Sequence, residues 1–309
     1  MPVSPSLASS ARRLASVFLD CVYPNRCMVC ENLLEFGAAD WVCRNCAPLL
    51  VPISGPVCEK CGKPLGGGEC NEGYEGGDEC NGGYECNERY EGSGKGNKWY
   101  GGKGNGGNES NKGYGGGGGN AEAGALCRTC ARRERFFGKN TAFFPYDPVV
   151  RELIHRFKYG GRPRYAVGLA RMICGRIGPE FWRGADAFAA VPMYPRKKKE
   201  RGYNQAEELA LAVSGLTGVP VDRDCLARVS DTKPQSGLGP AARANNVRDA
   251  FKAGKSRVPA ARSYIIFDDV YTTGETISAC ARVLLENGAG RADGFTLAIA
   301  VGEKKKDKA

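Results

Sequence analysis

The stretch Tyr264–Thr276, YIIFDDVYTTGET, constrains the fold of this chain more than any other part of it. An apolar run of Tyr264, Ile265, Ile266 and Phe267 suits a short buried strand, and it ends on two adjacent carboxylates, Asp268 and Asp269. A hydroxyl-rich loop follows, with Thr272, Thr273, Gly274, Glu275 and Thr276. Beyond it Ile277, Cys280, Ala281, Leu284 and Leu285 recur on one helical face, and Gly288 supplies a stop. Strand, glycine loop and helix N-terminus make an anion cradle. Backbone N–H groups and threonine hydroxyls face a phosphate, and the helix dipole favours its charge. Paired carboxylates at a strand end accept hydrogen bonds from vicinal hydroxyls and help hold Mg²⁺ beside a polyphosphate. The plain alternative is an ordinary strand–turn–helix whose aspartates cap the helix.

Ahead of this stretch the cysteines come in C-x-x-C pairs: Cys27/Cys30, Cys43/Cys46, Cys58/Cys61 and Cys127/Cys130. Two thiolates at that spacing on a tight knuckle bind one tetrahedral metal, so four pairs supply two Cys₄ zinc sites of a structural kind. The preferred partition is sequential, Cys27, Cys30, Cys43 and Cys46 on one zinc and Cys58, Cys61, Cys127 and Cys130 on the other. Crossed pairing stays open on spacing alone, and Cys21 is an alternative ligand. Disulfides would need an oxidising compartment, and no signal-peptide h-region points to one. The segment from Gly66 to Gly124 separates the third pair from the fourth. It carries 23 of the 44 glycines, near-repeats such as ECNEGYEGG, and no apolar periodicity, which predicts a disordered insertion in which Cys70, Cys80 and Cys86 are bystanders. With the 303–309 Lys-rich tail and a 1–24 N-terminal helix, the expected plan is a zinc-ribbon module (25–65 and 125–135), the 66–124 insertion, and a second domain over 136–302.

Charge supports a phosphate-bearing ligand. The net charge is +10, yet the insertion alone carries 5 Lys/Arg against 10 Asp/Glu, so the rest of the chain is the more basic. In the second domain, Phe143, Phe144 and Tyr146 suggest an edge strand, followed by a helix capped by Asp147 that buries Val149, Val150, Leu153, Ile154 and Phe157. His155 is the one histidine, placed among basic residues, so a Ser-His-Asp or Cys-His mechanism has little support and His155 reads as a surface residue. A helix from Tyr165 to about Ile177 and a buried strand over Ala185–Met193 come next. After that strand, PRKKKERGYNQ is expected as a loop whose Arg196, Lys197, Lys198, Lys199 and Arg201 face a pyrophosphate at the sheet's carboxyl end. Asn204 and Glu207 would form a capping box on a helix that buries Leu209, Ala212, Val213 and Leu216. Thr232–Phe251, with Lys233, Arg243 and Arg248, has the glycine and proline content of a lid. No apolar run approaches membrane-spanning length, which predicts a cytoplasmic protein with no membrane insertion.

The YIIFDDVYTTGET string resembles the phosphoribosyl-pyrophosphate (PRPP) motif of type I phosphoribosyltransferases. Taken in order, the zinc knuckles, PYDPVVRELIHRFKYGG, VPMYPRKKKERGYNQAEELA and TKPQSGL before IIFDDVYTTGET are similar to the ComF family of bacterial competence proteins, related to GntX-type proteins. The insertion departs from that pattern. The resemblance implies an α/β phosphoribosyltransferase-like parallel sheet flanked by helices, behind a small Cys-rich zinc ribbon. It implies that Asp268 and Asp269 contact ribose and act as the catalytic pair, that Thr272, Thr273, Gly274, Glu275 and Thr276 bind PRPP, and that Lys233 joins the basic loop against pyrophosphate. Mg²⁺ would accompany PRPP. Partners would be PRPP or a related phosphorylated ribose, single-stranded DNA, and DNA-uptake or recombination proteins. The alternative is an active phosphoribosyltransferase of nucleotide salvage whose acceptor the sequence does not name.

Overall fold

The structure, a computed structural model, describes residues 25–34, 41–65, 125–230 and 249–301. The expected N-terminal helix, the 66–124 insertion, the tail, and Lys233 with most of the expected lid lie outside the described residues.

Four parallel strands form the central sheet: β1 (Asn140–Pro145), β2 (Ala187–Ala190), β5 (Ser263–Tyr271) and β6 (Arg291–Ile299), in the order β1-β6-β5-β2. In the chain between β2 and β5 comes a separate antiparallel pair, β3 (Leu226–Arg228) and β4 (Phe251–Ala253). Side chains alternate across a strand, and the burial of β5 shows why its apolar run is unbroken. Ile265 and Phe267 pack into one cluster with Phe188, Phe295 and Trp182, whereas Tyr264 and Ile266 pack into another with Ile277, Cys280, Ala281 and Leu284. The first cluster is covered by α2 (Pro148–Tyr159), α3 (Tyr165–Arg176), α4 (Pro179–Arg183) and α6 (Gln205–Thr217), the second by α7 (Glu275–Glu286). Trp182 lies at the centre of the first, stacked on Phe267 at 6.2 Å and 13°. This is the expected parallel sheet flanked by helices.

The cysteine segments pack against both sides of this layered body. Met28 and Leu50 of the first enter the helix-covered cluster, Trp41 meets Tyr165 edge-on at 6.2 Å, and Arg156 donates to the Val29 carbonyl. Cys58 and Cys61 of the second join the α7-side cluster. The chain between them lies along edge strand β1: Ile53 N–H donates to Phe143 O (2.8 Å) and Asn140 N–H to Lys60 O (2.8 Å). An edge that would otherwise expose unpaired N–H and C=O groups is thereby covered.

Several local expectations hold. Asp147 caps α2 through its carboxylate to Val150 N–H (2.7 Å), and Gly160 ends the helix. His155 is exposed. Others need correction. PRKKKERG is not a loop: α5 (Pro195–Arg201) begins with proline in its first turn and ends on Gly202 at φ +86. Proline pre-sets the helical φ, glycine supplies the left-handed stop, and the cations cluster toward the carboxyl end that the helix dipole favours. Asn204 does cap α6, accepting from Ala206 N–H (3.2 Å), but Glu207 does not complete a capping box. Its carboxylate is taken by stronger, charged partners, Lys198 at 2.7 Å and Arg223 at 2.6 Å. Ala206 and Ala210 are buried on α6 instead of Leu216, which is 52% exposed.

Candidate functional site

Strand β5 carries the centre of the site. The aspartates do not end the strand, as the apolar run suggested; β5 continues through them, and Asp268 pairs with Thr296, Val270 with Ala298 and Tyr271 with Ile299 on β6. Three loop residues then lead to α7, with Thr272 and Thr273 exposed and Gly274 buried. Gly274 is the N-cap of α7 at φ +79, a conformation that costs a side-chain-bearing residue dearly. A Cβ there would also lie 2.2 Å from Tyr271 Oη. The turn is therefore sharp, and it presents the free N–H groups of the α7 first turn at the carboxyl rim of the sheet. Because every strand of this sheet runs parallel, the same rim receives the end of β2 and the start of α5.

The two carboxylates are held differently. Asp269 Oδ2 lies 2.6 Å from Lys158 Nζ at the end of α2, both side chains about three-quarters buried. Asp268 Oδ1 accepts the Asp269 N–H at 2.9 Å. Burial, and next the charge of Asp269, push the Asp268 carboxyl up to about 7. An acidic group so destabilised as an anion is suited to taking a hydroxyl hydrogen bond or a cation. The donor set, two carboxylate-bearing residues adjacent in sequence at a rim that also offers helix N–H groups, has the oxygen chemistry of a Mg²⁺ site.

The basic residues are only partly available to a ligand. Lys198 is committed to Glu207, while Arg201 donates to Gln205 (2.9 Å) and lies over the Tyr159 ring at 4.7 Å. Burial works against the Glu207 charge, but Lys198 and Arg223 outweigh it and lower its pKa. Arg196 pairs with Glu200 one turn on at 3.3 Å, a highly exposed contact worth little. Lys197 is half-buried and Lys199 is exposed. Glu275 does not turn toward the cradle; its carboxylate meets Arg135 at 2.7 Å and Arg133 at 3.4 Å. Sequence reasoning missed both Lys158 and Arg135. The ARRER run directly after Cys130 was the one visible signal for Arg135, and nothing local marked Lys158.

The cysteines assemble in the sequential partition. Cys27, Cys30, Cys43 and Cys46 form one group and Cys58, Cys61, Cys127 and Cys130 another, with the sulfurs of each group within 4.8 Å of one another. Cys30 and Cys43 sulfurs are 3.7 Å apart, as are those of Cys61 and Cys127. That is the edge of a tetrahedron with zinc–sulfur bonds of about 2.3 Å. Backbone N–H groups of Val29 and Cys43 point at Cys27 Sγ (both 3.4 Å), and that of Cys127 at Cys58 Sγ (3.3 Å); burial works against the Cys58 thiolate, but the Cys127 N–H and its neighbours outweigh it and lower that thiol to about 7. Both groups fit zinc ribbons.

Two concavities among the described residues lie away from the aspartates. One of about 380 Å³ is bordered by Asp222, Arg223 and Arg262; the other, about 750 Å³, lies between the second cysteine group and the amino ends of β1 and β6.

Comparison with known proteins agrees with the class defined by these features, a zinc ribbon joined to a parallel α/β sheet. Residues 18–81 match the double zinc ribbon domain family. The particular relatives are proteins named for DNA utilization and for competence. The chain is 28% identical over 171 residues to the DNA utilization protein YhgH of Salmonella typhimurium, covering 53% of this chain and 73% of that protein. It is 29% identical over 168 residues to competence protein F of Haemophilus influenzae, covering 52% and 73%. The resemblance to ComF-type proteins read from the motifs is thus borne out. A purine phosphoribosyltransferase from Pyrococcus horikoshii aligns with 48% of this chain and 81% of its own at 15% identity, with a TM-score of 0.27. No helix among the described residues is long and apolar enough to cross a membrane.

Proposed function

We propose that this protein binds PRPP with Mg²⁺ at the carboxyl rim of its sheet and acts in the cytoplasmic handling of single-stranded DNA during natural transformation. One observation carries the ligand assignment: the Asp268–Asp269 pair runs directly into an exposed Thr272–Thr273 turn and a left-handed Gly274 that opens α7. Asp268 and Asp269 would take the ribose hydroxyls, and Thr272, Thr273, Gly274 and Thr276 the 5′-phosphate. Mg²⁺, held by the aspartates and the pyrophosphate, would neutralise the charge of the polyphosphate. Lys158 pairs with Asp269 and holds its carboxylate in place until the ligand arrives, and Arg196, Lys197 and Lys199 give the same rim a positive field. The DNA role is supported by the names of the relatives, one for DNA utilization and one for competence.

The test is pyrophosphate release from PRPP and Mg²⁺ in the presence of a panel of nucleobases or of single-stranded DNA, with Asp268→Asn/Asp269→Asn as control. The reading predicts saturable PRPP binding that the control loses. Release that depends on one acceptor would extend the protein to an active transferase and name its substrate. Absence of any PRPP binding would overturn the reading.

A further inference from the structure

The segment that follows the second cysteine group is joined to the phosphate loop, and the Arg135 guanidinium makes the most buried of the contacts. Cys130 lies in α1 (Arg128–Arg132), and the chain leaving that helix reaches the loop through Arg133 and Arg135. Arg135 Nη1 lies 2.7 Å from Glu275 Oε1, and Nη2 donates to the Thr273 carbonyl at 2.5 Å. Its side chain is only 4% exposed, and Nε has no partner among the described residues. A cation buried this deeply requires pairing, and both of its acceptors among the described residues, Glu275 Oε1 and the Thr273 carbonyl, belong to the 273–275 turn. The neighbouring residues reinforce the contact. Phe136 N–H donates to Ser278 Oγ in α7 (3.1 Å), and Phe137 packs edge-on against Tyr271 at 6.2 Å. Lys60, between Cys58 and Cys61, lies over the Phe137 ring at 5.4 Å.

The consequence for an anion follows from peptide geometry. The Thr273 carbonyl and the Gly274 N–H are two ends of one planar trans peptide and point in opposite directions. By holding the carbonyl, Arg135 directs the Gly274 N–H away from the cysteine group and out toward the rim. We propose that Arg135 is the positioning residue of this anion cradle, and that metal occupancy of the Cys58, Cys61, Cys127 and Cys130 site is communicated to ligand affinity through it. The inference rests on the PRPP reading for its ligand, but the state of the loop can be observed with no ligand present.

The experiment uses the full chain as Arg135→Gln, Arg135→Lys, Cys130→Ser and Cys30→Ser, with three measurements: zinc content, hydrogen–deuterium exchange of peptides covering residues 272–278, and PRPP affinity with Mg²⁺ by calorimetry. Arg135→Gln should keep its zinc, raise exchange in 272–278, and weaken PRPP by about tenfold or more. Arg135→Lys, which restores the charge without the two-pronged geometry, should recover part of both effects. Cys130→Ser should raise exchange in 272–278, and Cys30→Ser, in the other group, should not. Unchanged loop exchange in zinc-replete Arg135→Gln overturns the proposal, as does an equal response to the two cysteine variants. If wild type fails to bind PRPP while the loop still responds, the ligand reading fails and the coupling stands.

Discussion

Asp268 offers the sharpest test of how the site is built, because the carboxylate suited to a ligand is a cost to the empty protein. Its carboxyl is raised from an ordinary 3.8 to about 7, by burial first and by Asp269 second. With the folded value above the unfolded one, its contribution to stability is fully present below about 4 and is lost as pH rises through about 7. At about 1.4 kcal/mol per pKa unit the full shift is about 4 kcal/mol, and partial access to solvent reduces this to about 2–3 kcal/mol. Asp268→Asn replaces the carboxyl with a neutral group of the same shape. The variant should therefore be more stable than wild type by about 2–3 kcal/mol at pH 8.5, with the difference about halved at pH 5.5, where only the unfolded carboxyl is ionised. Urea unfolding of the zinc-loaded proteins, followed by tryptophan fluorescence, measures it. Saturating Mg²⁺ should shrink the gap at pH 8.5 by binding wild type. An Asn variant less stable than wild type at pH 8.5, or one whose advantage does not change with pH, would refute the reasoning.

Two further predictions address the loop and the basic helix. Gly274→Ala should cost about 1–3 kcal/mol and weaken PRPP binding, because φ +79 disfavours a side chain and the new Cβ would lie 2.2 Å from Tyr271 Oη; thermal unfolding and calorimetry check it, and an unaltered melting temperature would count against the geometry. Lys197→Glu/Lys199→Glu should lower affinity for single-stranded DNA irrespective of base sequence and flatten its salt dependence, as fluorescence anisotropy across a salt series would show. Salt-insensitive binding by wild type, or binding unchanged in the variant, would remove α5 from the DNA-binding surface.

Much of the architecture was legible because it is written locally. The apolar run of β5, the helical spacing after Gly274 and the C-x-x-C knuckles each depend on neighbours within a few residues, and all three form. The sequential pairing of the cysteines also follows chain order, even across the 66–124 interval. What escaped the sequence depends on distant partners. The strand extends past its polar residues because β6 offers hydrogen bonds opposite Asp268 and Val270. Glu207 has the spacing of a capping box, but Lys198 and Arg223 outcompete a backbone N–H for it. The five-cation run looks like an unstructured loop by charge alone, although Pro195 and Gly202 frame it as a helix. Lys158 and Arg135 reach the site from 111 and 140 residues away in sequence, at Asp269 and Glu275, and periodicity holds no information at that range.

The central claim is that the β5 carboxylates and the Gly274 turn form a site for PRPP with Mg²⁺. Calorimetric titration of PRPP into the zinc-loaded full chain, with and without Mg²⁺, tests it most directly when repeated on Asp268→Asn/Asp269→Asn. The account predicts one saturable, Mg²⁺-dependent site per chain that is lost in the double variant while zinc content and the melting transition persist. Equal binding by the double variant, or no heat from wild type at saturating PRPP and Mg²⁺, would contradict it.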